Sequence, residues 1–146
     1  MIHYKKIISE RLEDAPFCGA LIVACGCNNN CKGCFNQHLK ELPTQTSSAE
    51  DIIRRVKSNP FNKGIIFGGL EWSLQIDEAR ELAIEARKQG LTTMLYTGSS
   101  FTSIDSPEYF DYIKAGRYIE GDISHTEYGI ILASSNQHIY KKGTDY

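Results

Sequence analysis

Apolar positions along the chain recur with two different spacings. "GALIVAC" (residues 19–25) is a short, branched, nearly continuous apolar run, the pattern of a strand buried on both faces of a parallel sheet. "GIIFGG" (64–69) reads as a second such strand running into a double glycine, "LTTMLYTG" (91–98) as a third and "RYIEGD" (117–122) as a fourth. Between them the spacing is helical. "TSSAEDIIRRVKS" opens with Ser47 and carries Glu50 three residues on, a capping-box signature, with Ile52, Ile53 and Val56 on one face. "IDEARELAIEARKQG" turns Ile76, Ala79, Leu82, Ala83 and Ala86 inward and stops at Gly90. "DSPEYFDYIKAG" has Ser106 as N-cap, Pro107 at the first helical position and Gly116 at the end, which predicts a third helix.

Strand alternating with helix three times implies a parallel sheet with crossover helices, an α/β fold. A complete eight-fold barrel takes about 250 residues. The 146 residues here leave room for an open or partial barrel, or for a doubly wound sheet. In such folds binding groups stand at the C-terminal ends of the strands. The segment after residue 25, "GGLEW", "YTG" and "EGD" all occupy those ends, so they are expected to meet at one mouth.

Composition narrows the class. A chain of this length buries about two-thirds of its unfolded surface, so one domain over residues 1–146 is expected, with "KKGTDY" as a solvated tail. The longest apolar run, Ala20 to Cys25, is six residues, and "MIHYKKIISERLED" lacks the apolar core of a signal peptide. No membrane association and a cytoplasmic location are expected. A net charge of -2 without basic blocks argues against nucleic acid as a partner.

The chemistry concentrates in "CGCNNNCKGCFN" (25–36), which holds four of the five cysteines. In a cytoplasmic chain, clustered thiols serve metals or redox chemistry more often than disulfides. Cys27, Cys31 and Cys34 form a C-x3-C-x2-C set on a loop short enough to aim all three at one centre. Three thiolates leave one iron of a cuboidal cluster without a protein ligand, open to a substrate or cofactor. Gly33 lets the main chain approach closely. A structural zinc site is the competing reading, with His38 four residues beyond Cys34 as the fourth ligand of a Cys3His set. Cys18 and Cys25 do not continue the spacing and are read as small buried residues.

On these residues the chain resembles the radical S-adenosylmethionine superfamily, whose mark is a C-x3-C-x2-C loop after the first strand. Within it the chain is similar to the activating proteins of anaerobic (class III) ribonucleoside-triphosphate reductases. The likeness rests on small size, on "GCNNNCKGCFN" with its Gly-Cys-aromatic-Asn ending, on "YTG" after the third strand and on "SSNQ" at 134–137. It runs patchily over residues 19–140. The resemblance implies a single radical S-adenosylmethionine domain, an α/β partial (open) TIM-type barrel with a 4Fe-4S cluster on Cys27, Cys31 and Cys34. The open iron would chelate S-adenosyl-L-methionine. One electron, from a donor such as flavodoxin, would cleave the sulfonium to methionine and a 5'-deoxyadenosyl radical. That radical would take a hydrogen atom from a glycine of the large reductase subunit, leaving a glycyl radical.

The same resemblance assigns S-adenosylmethionine contacts to Gly33, Cys34 and Phe35, and contact with its amino group to the main chain of Gly68 and Gly69. Where related chains continue with an acid and a proline, this one has Leu70, Glu71 and Trp72. Either Glu71 supplies the carboxylate one residue later, which is the preferred assignment, or main-chain carbonyls bind the ammonium alone. Tyr96 and Thr97 line the cofactor pocket, or else Tyr96 is a strand aromatic in the core. Trp72 is expected in packing or partner contact, and Asp122 either ends a strand at the mouth or sits in a turn. Only the resemblance draws attention to Ser134–Gln137. Other small radical S-adenosylmethionine enzymes, of the 7-carboxy-7-deazaguanine synthase or peptide-modifying kind, and a zinc-stabilised binding module are the alternatives.

Overall fold

The computed structural model describes residues 1–27 and 36–146. The chain opens with β1 (Ile2–Tyr4) and β2 (Ile7–Arg11), followed by β3 (Gly19–Val23), β4 (Gln45–Ser47) and α1 (Ala49–Lys57). Then come β5 (Gly64–Gly68), α2 (Ile76–Lys88), β6 (Thr92–Thr97) and β7 (Tyr112–Ala115). The short strands β8 (His125–Glu127), β9 (Ile130–Leu132) and β10 (His138–Lys141) end it.

Six strands form the main sheet in the order β10-β7-β6-β5-β3-β2. The inner four, β3, β5, β6 and β7, are parallel neighbours, whereas β2 and β10 run antiparallel along the two edges. β1 pairs with β4, and β8 with β9, in two separate two-stranded sheets. The expected partial TIM-type barrel is therefore not the fold. The parallel run stops at four strands, closed off on each side by an antiparallel strand, and the described residues contain only two α-helices.

The missing third helix has a local cause. Ser106 sits at φ 55°, Pro107–Tyr109 makes a single 3-10 turn, and Phe110 is already extended. Beyond it Ile113 and Ala115 are buried while Tyr112 and Lys114 are half-buried, a period of two rather than 3.6. Asp111 fastens the start of β7 to β6, its Oδ2 accepting from the Thr93 N–H at 2.9 Å. The fourth parallel strand thus comes earlier than "RYIEGD", which is a loop.

The first two predicted helices form. The N-cap of α1 is Ser48 rather than Ser47: its hydroxyl accepts from the Asp51 N–H at 3.1 Å. Helix α2 ends before Gly90, whose φ of 77° is the left-handed conformation that glycine tolerates. The two helices pack on each other and share one buried cluster with Ile22, Ile65, Phe67, Leu95 and Ile113. Ile66 and Met94 point to the other face, where Ile130 and Leu132 of the β8–β9 hairpin, together with Ala15 and Ile139, cover them. β5 is consequently buried along its whole length, as its apolar run predicts. At the far edge, β2 slips register between Ile8 and Arg11, and Glu10 takes a φ of 56° there.

Two smaller expectations need adjustment. Cys18 and Cys25 are half-buried rather than buried. The terminal segment is mostly exposed, but the Tyr146 hydroxyl donates to the Phe110 carbonyl at 2.7 Å and ties the end to the sheet. Among the described residues no helix is long and apolar enough to cross a membrane.

Candidate functional site

The four parallel strands all point their C-terminal ends the same way, and a cleft opens there. It holds about 640 Å3 of space between atoms, part of it open to solvent. Cys27 lines it from the segment leaving β3, Gly69 to Glu71 from the end of β5, Tyr96 to Gly98 from β6, and Lys114 and Gly116 from β7. Asn36, Gln37 and Lys40 close the remaining side from the chain that follows the cysteine loop.

Main-chain hydrogen bonds hold these ends together. The Ala24 N–H donates to the Gly68 carbonyl at 3.2 Å, and the Glu71 N–H to the Gly26 carbonyl at 2.8 Å, so the segment carrying Cys27 lies against the double glycine. Gly69 has a φ of 78°, and a Cβ there would stand 2.9 Å from Val23 Cγ1 and 3.2 Å from Leu39 Cδ1. At Gly68 a Cβ would meet Leu21 Cδ1 at 3.1 Å. Packing and the positive φ together call for glycine at 69, while at 68 a Cβ would press on the Leu21 side chain. The effect of the two glycines is to bring the main chain of Gly69 to the cleft wall, while buried Gly68 stands one step inside it.

Glu71 is the buried charge of this site, 4% exposed. Its Oε1 accepts from the Gly98 N–H at 2.7 Å, and its Oε2 from the Thr97 hydroxyl at 2.8 Å and the Ser73 N–H at 3.2 Å. A carboxylate taken out of water needs such donors. Thr97 therefore both lines the cleft and positions Glu71. Tyr96 lies across from Lys114 in the β6–β7 ladder, with the Lys114 ammonium 4.7 Å from its ring centroid, and its hydroxyl donates to the Asp14 carbonyl. Burial, with the Asp14 carboxylate nearby, pushes the Tyr96 phenol well above its ordinary value, so the ring stays neutral.

Trp72 takes no part in the cleft wall. It is fully buried, donates Nε1–H to the Ile22 carbonyl at 2.9 Å and meets Phe67 edge-on at 5.2 Å, so it packs the joint between β3 and β5. Asp122 and Ser134–Gln137 acquire a structural role. Asp122 Oδ2 accepts from the Ser135 N–H and hydroxyl at 3.1 and 2.8 Å. The Ser134 hydroxyl accepts from the Ile119 N–H at 2.7 Å, and Gln137 Nε2 donates to the Gly116 carbonyl at 3.2 Å. This clip fixes the loop after β7, and Gln137 reaches the cleft. His38 is exposed on the 3-10 turn Gln37–Glu41. The Cys25 thiol is pushed up by burial, against the lowering effect of a hydrogen bond with Thr44, which favours its neutral form.

Of the residues singled out from sequence, Cys27, Gly69, Glu71, Tyr96 and Thr97 share the cleft. Cys31, Gly33, Cys34 and Phe35 lie outside the described residues. Gln137, to which only the resemblance drew attention, reaches the cleft as well, whereas Lys40, Lys114 and Tyr118 were not anticipated. For Lys114 the signal was present in the alternation of "DYIKAG", which places a lysine on the Tyr96 side of a strand once the helix reading is dropped.

The donors suit an iron-sulfur group with a small polar ligand beside it. A half-buried thiol packs against the apolar core, next to half-buried glycine backbone, a buried carboxylate and two lysines. Thiolate is the protein ligand of such clusters. No curated protein matches the chain. The sequence model of a family described as "4Fe-4S single cluster domain" matches residues 18–140. The chain belongs to that family and is an iron-sulfur protein.

Proposed function

We propose that this iron-sulfur protein is a radical S-adenosylmethionine enzyme, and that it activates an anaerobic ribonucleoside-triphosphate reductase by generating a glycyl radical on the reductase's large subunit. The observation carrying the reading is the C-x3-C-x2-C spacing of Cys27, Cys31 and Cys34, one thiolate short of a closed set, in a chain whose first ligand stands on the same cleft as Gly69 and Glu71. When bound, the cluster and S-adenosyl-L-methionine supply one-electron reductive cleavage of the sulfonium, the source of the hydrogen-abstracting species.

The chain's own contribution is binding and orientation. Cys27, Cys31 and Cys34 would hold the cluster, and the backbone of Gly33, Cys34 and Phe35 would flank the nucleoside ligand. The glycine backbone at 68 and 69 and the carboxylate of Glu71, fixed by Thr97 and Gly98, would take the amino group. Lys40 and Lys114 give the same cleft two cationic groups, so an amino acid moiety carrying both signs finds partners for each. The cleft opens to solvent, which suits a second substrate that is itself a protein able to cover the mouth.

Anaerobic reconstitution with iron and sulfide tests the proposal. Reduced protein given S-adenosylmethionine should release 5'-deoxyadenosine and methionine, and addition of the reductase should produce the electron paramagnetic resonance signal of a glycyl radical. A reconstituted protein that stays colourless and retains only zinc would end this reading.

A further inference from the structure

The last third of the chain carries a second constellation that the cleft does not use. His125 and Glu127 stand two residues apart on β8 and so share a face, while His138 opens β10 at the edge of the main sheet. The Nε2 of His125 lies 2.9 Å, and the Nδ1 of His138 2.8 Å, from the same Glu127 oxygen, Oε2. All three ligand atoms fall within 4.8 Å of one another. The other carboxylate oxygen, Oε1, accepts from the Ile139 N–H at 2.8 Å, the kind of outer contact that orients a metal-binding carboxylate. His125 Nδ1 is buried and has no hydrogen-bond partner among the described residues.

We propose that His125, Glu127 and His138 form a metal site separate from the cysteine loop. It takes a divalent first-row transition ion of the zinc type on His125 Nε2, the Glu127 carboxylate and His138 Nδ1, with solvent as the fourth ligand. Two imidazoles and one carboxylate are a donor set that zinc accepts. Bonds of about 2.0–2.1 Å in a tetrahedron separate ligand atoms by about 3.3 Å. The nitrogens stand 2.8–2.9 Å from the oxygen and all three ligand atoms within 4.8 Å of one another, so side-chain rotations that open the two N···O pairs and draw the two nitrogens together bring the set to that spacing.

The ion would have a mechanical consequence. No hydrogen-bonded ladder joins β8 to β10, which belong to different sheets. A metal bridging them would fasten the hairpin whose Ile130 and Leu132 cover the second face of the core.

The test is zinc binding to the cluster-loaded protein, read by calorimetry with zinc chloride and by elemental analysis. One zinc per chain is expected beyond the iron, accompanied by a rise in melting temperature. Glu127→Gln, close to isosteric, and His138→Ala, at a half-exposed side chain, should each weaken zinc binding at least tenfold with iron content unchanged. No zinc uptake, or uptake that survives both substitutions, would overturn the proposal and leave the cluster as a hydrogen-bonded clip. Because zinc rather than radical formation is read, the outcome is independent of the function proposed above.

Discussion

The carboxylate of Glu71 is held at both oxygens by donors from its own chain, two of them on the segment that ends β6. Glu71→Gln keeps the shape but turns amide hydrogens toward those donors. It should cost about 1–3 kcal/mol, the range for a buried polar group left without its partner. Urea denaturation checks this, and an unshifted midpoint would remove Glu71 from any structural role. The residue could be suspected from sequence because it follows a strand-ending double glycine. Its partners could not, since Thr97 and Gly98 are 26 and 27 residues away and meet it only when β5 and β6 lie side by side. Ser134–Gln137 illustrate the opposite limit. Four polar residues near the end of the chain look like a motif without a mechanism until Gly116 and Ile119 are seen to be what they hold.

At the level of elements, a single cap separates two readings of the first helix. Ser48→Ala should lower stability by about 1 kcal/mol through loss of the N-cap bond. A thermal melt decides it, and an unchanged melting temperature would return the cap to Ser47. Strands β3, β5 and β6 were legible because a strand covered on both faces must be apolar throughout, and α1 and α2 because a one-sided helix must repeat every three to four residues. The segment at 106–116 misled because its punctuation, Ser-Pro at one end and Gly at the other, is that of a helix, while its interior "YIKA" alternates like a strand. Burial of Ile113 and Ala115 against the main core outweighs the end signals. β8, β9 and β10 were missed because strands of three or four residues hold too few alternations to stand out, and one antiparallel edge of the sheet went with them.

For the whole molecule, the main buried cluster runs from Ile2 through α1, α2 and the central strands, and Cys27 only touches it. The fold should therefore outlast its cluster, unlike small domains whose metal supplies the folding energy. Removing iron with a chelator is expected to bleach the protein yet leave its far-ultraviolet circular dichroism nearly unchanged, and collapse of that signal would show that the cluster holds the sheet together. The slipped register of β2 carries a different consequence. At that edge the Glu10 N–H is already taken by Asn62 Oδ1 at 3.0 Å, and the Asn59 amide binds the Glu10 carboxylate at 2.7 Å. A straight outer strand offers a row of unused main-chain groups on which a second copy can grow. Here the row is bent and partly spoken for, so crowded chains, as during rapid synthesis, find no ready template along this rim for stacking into fibres.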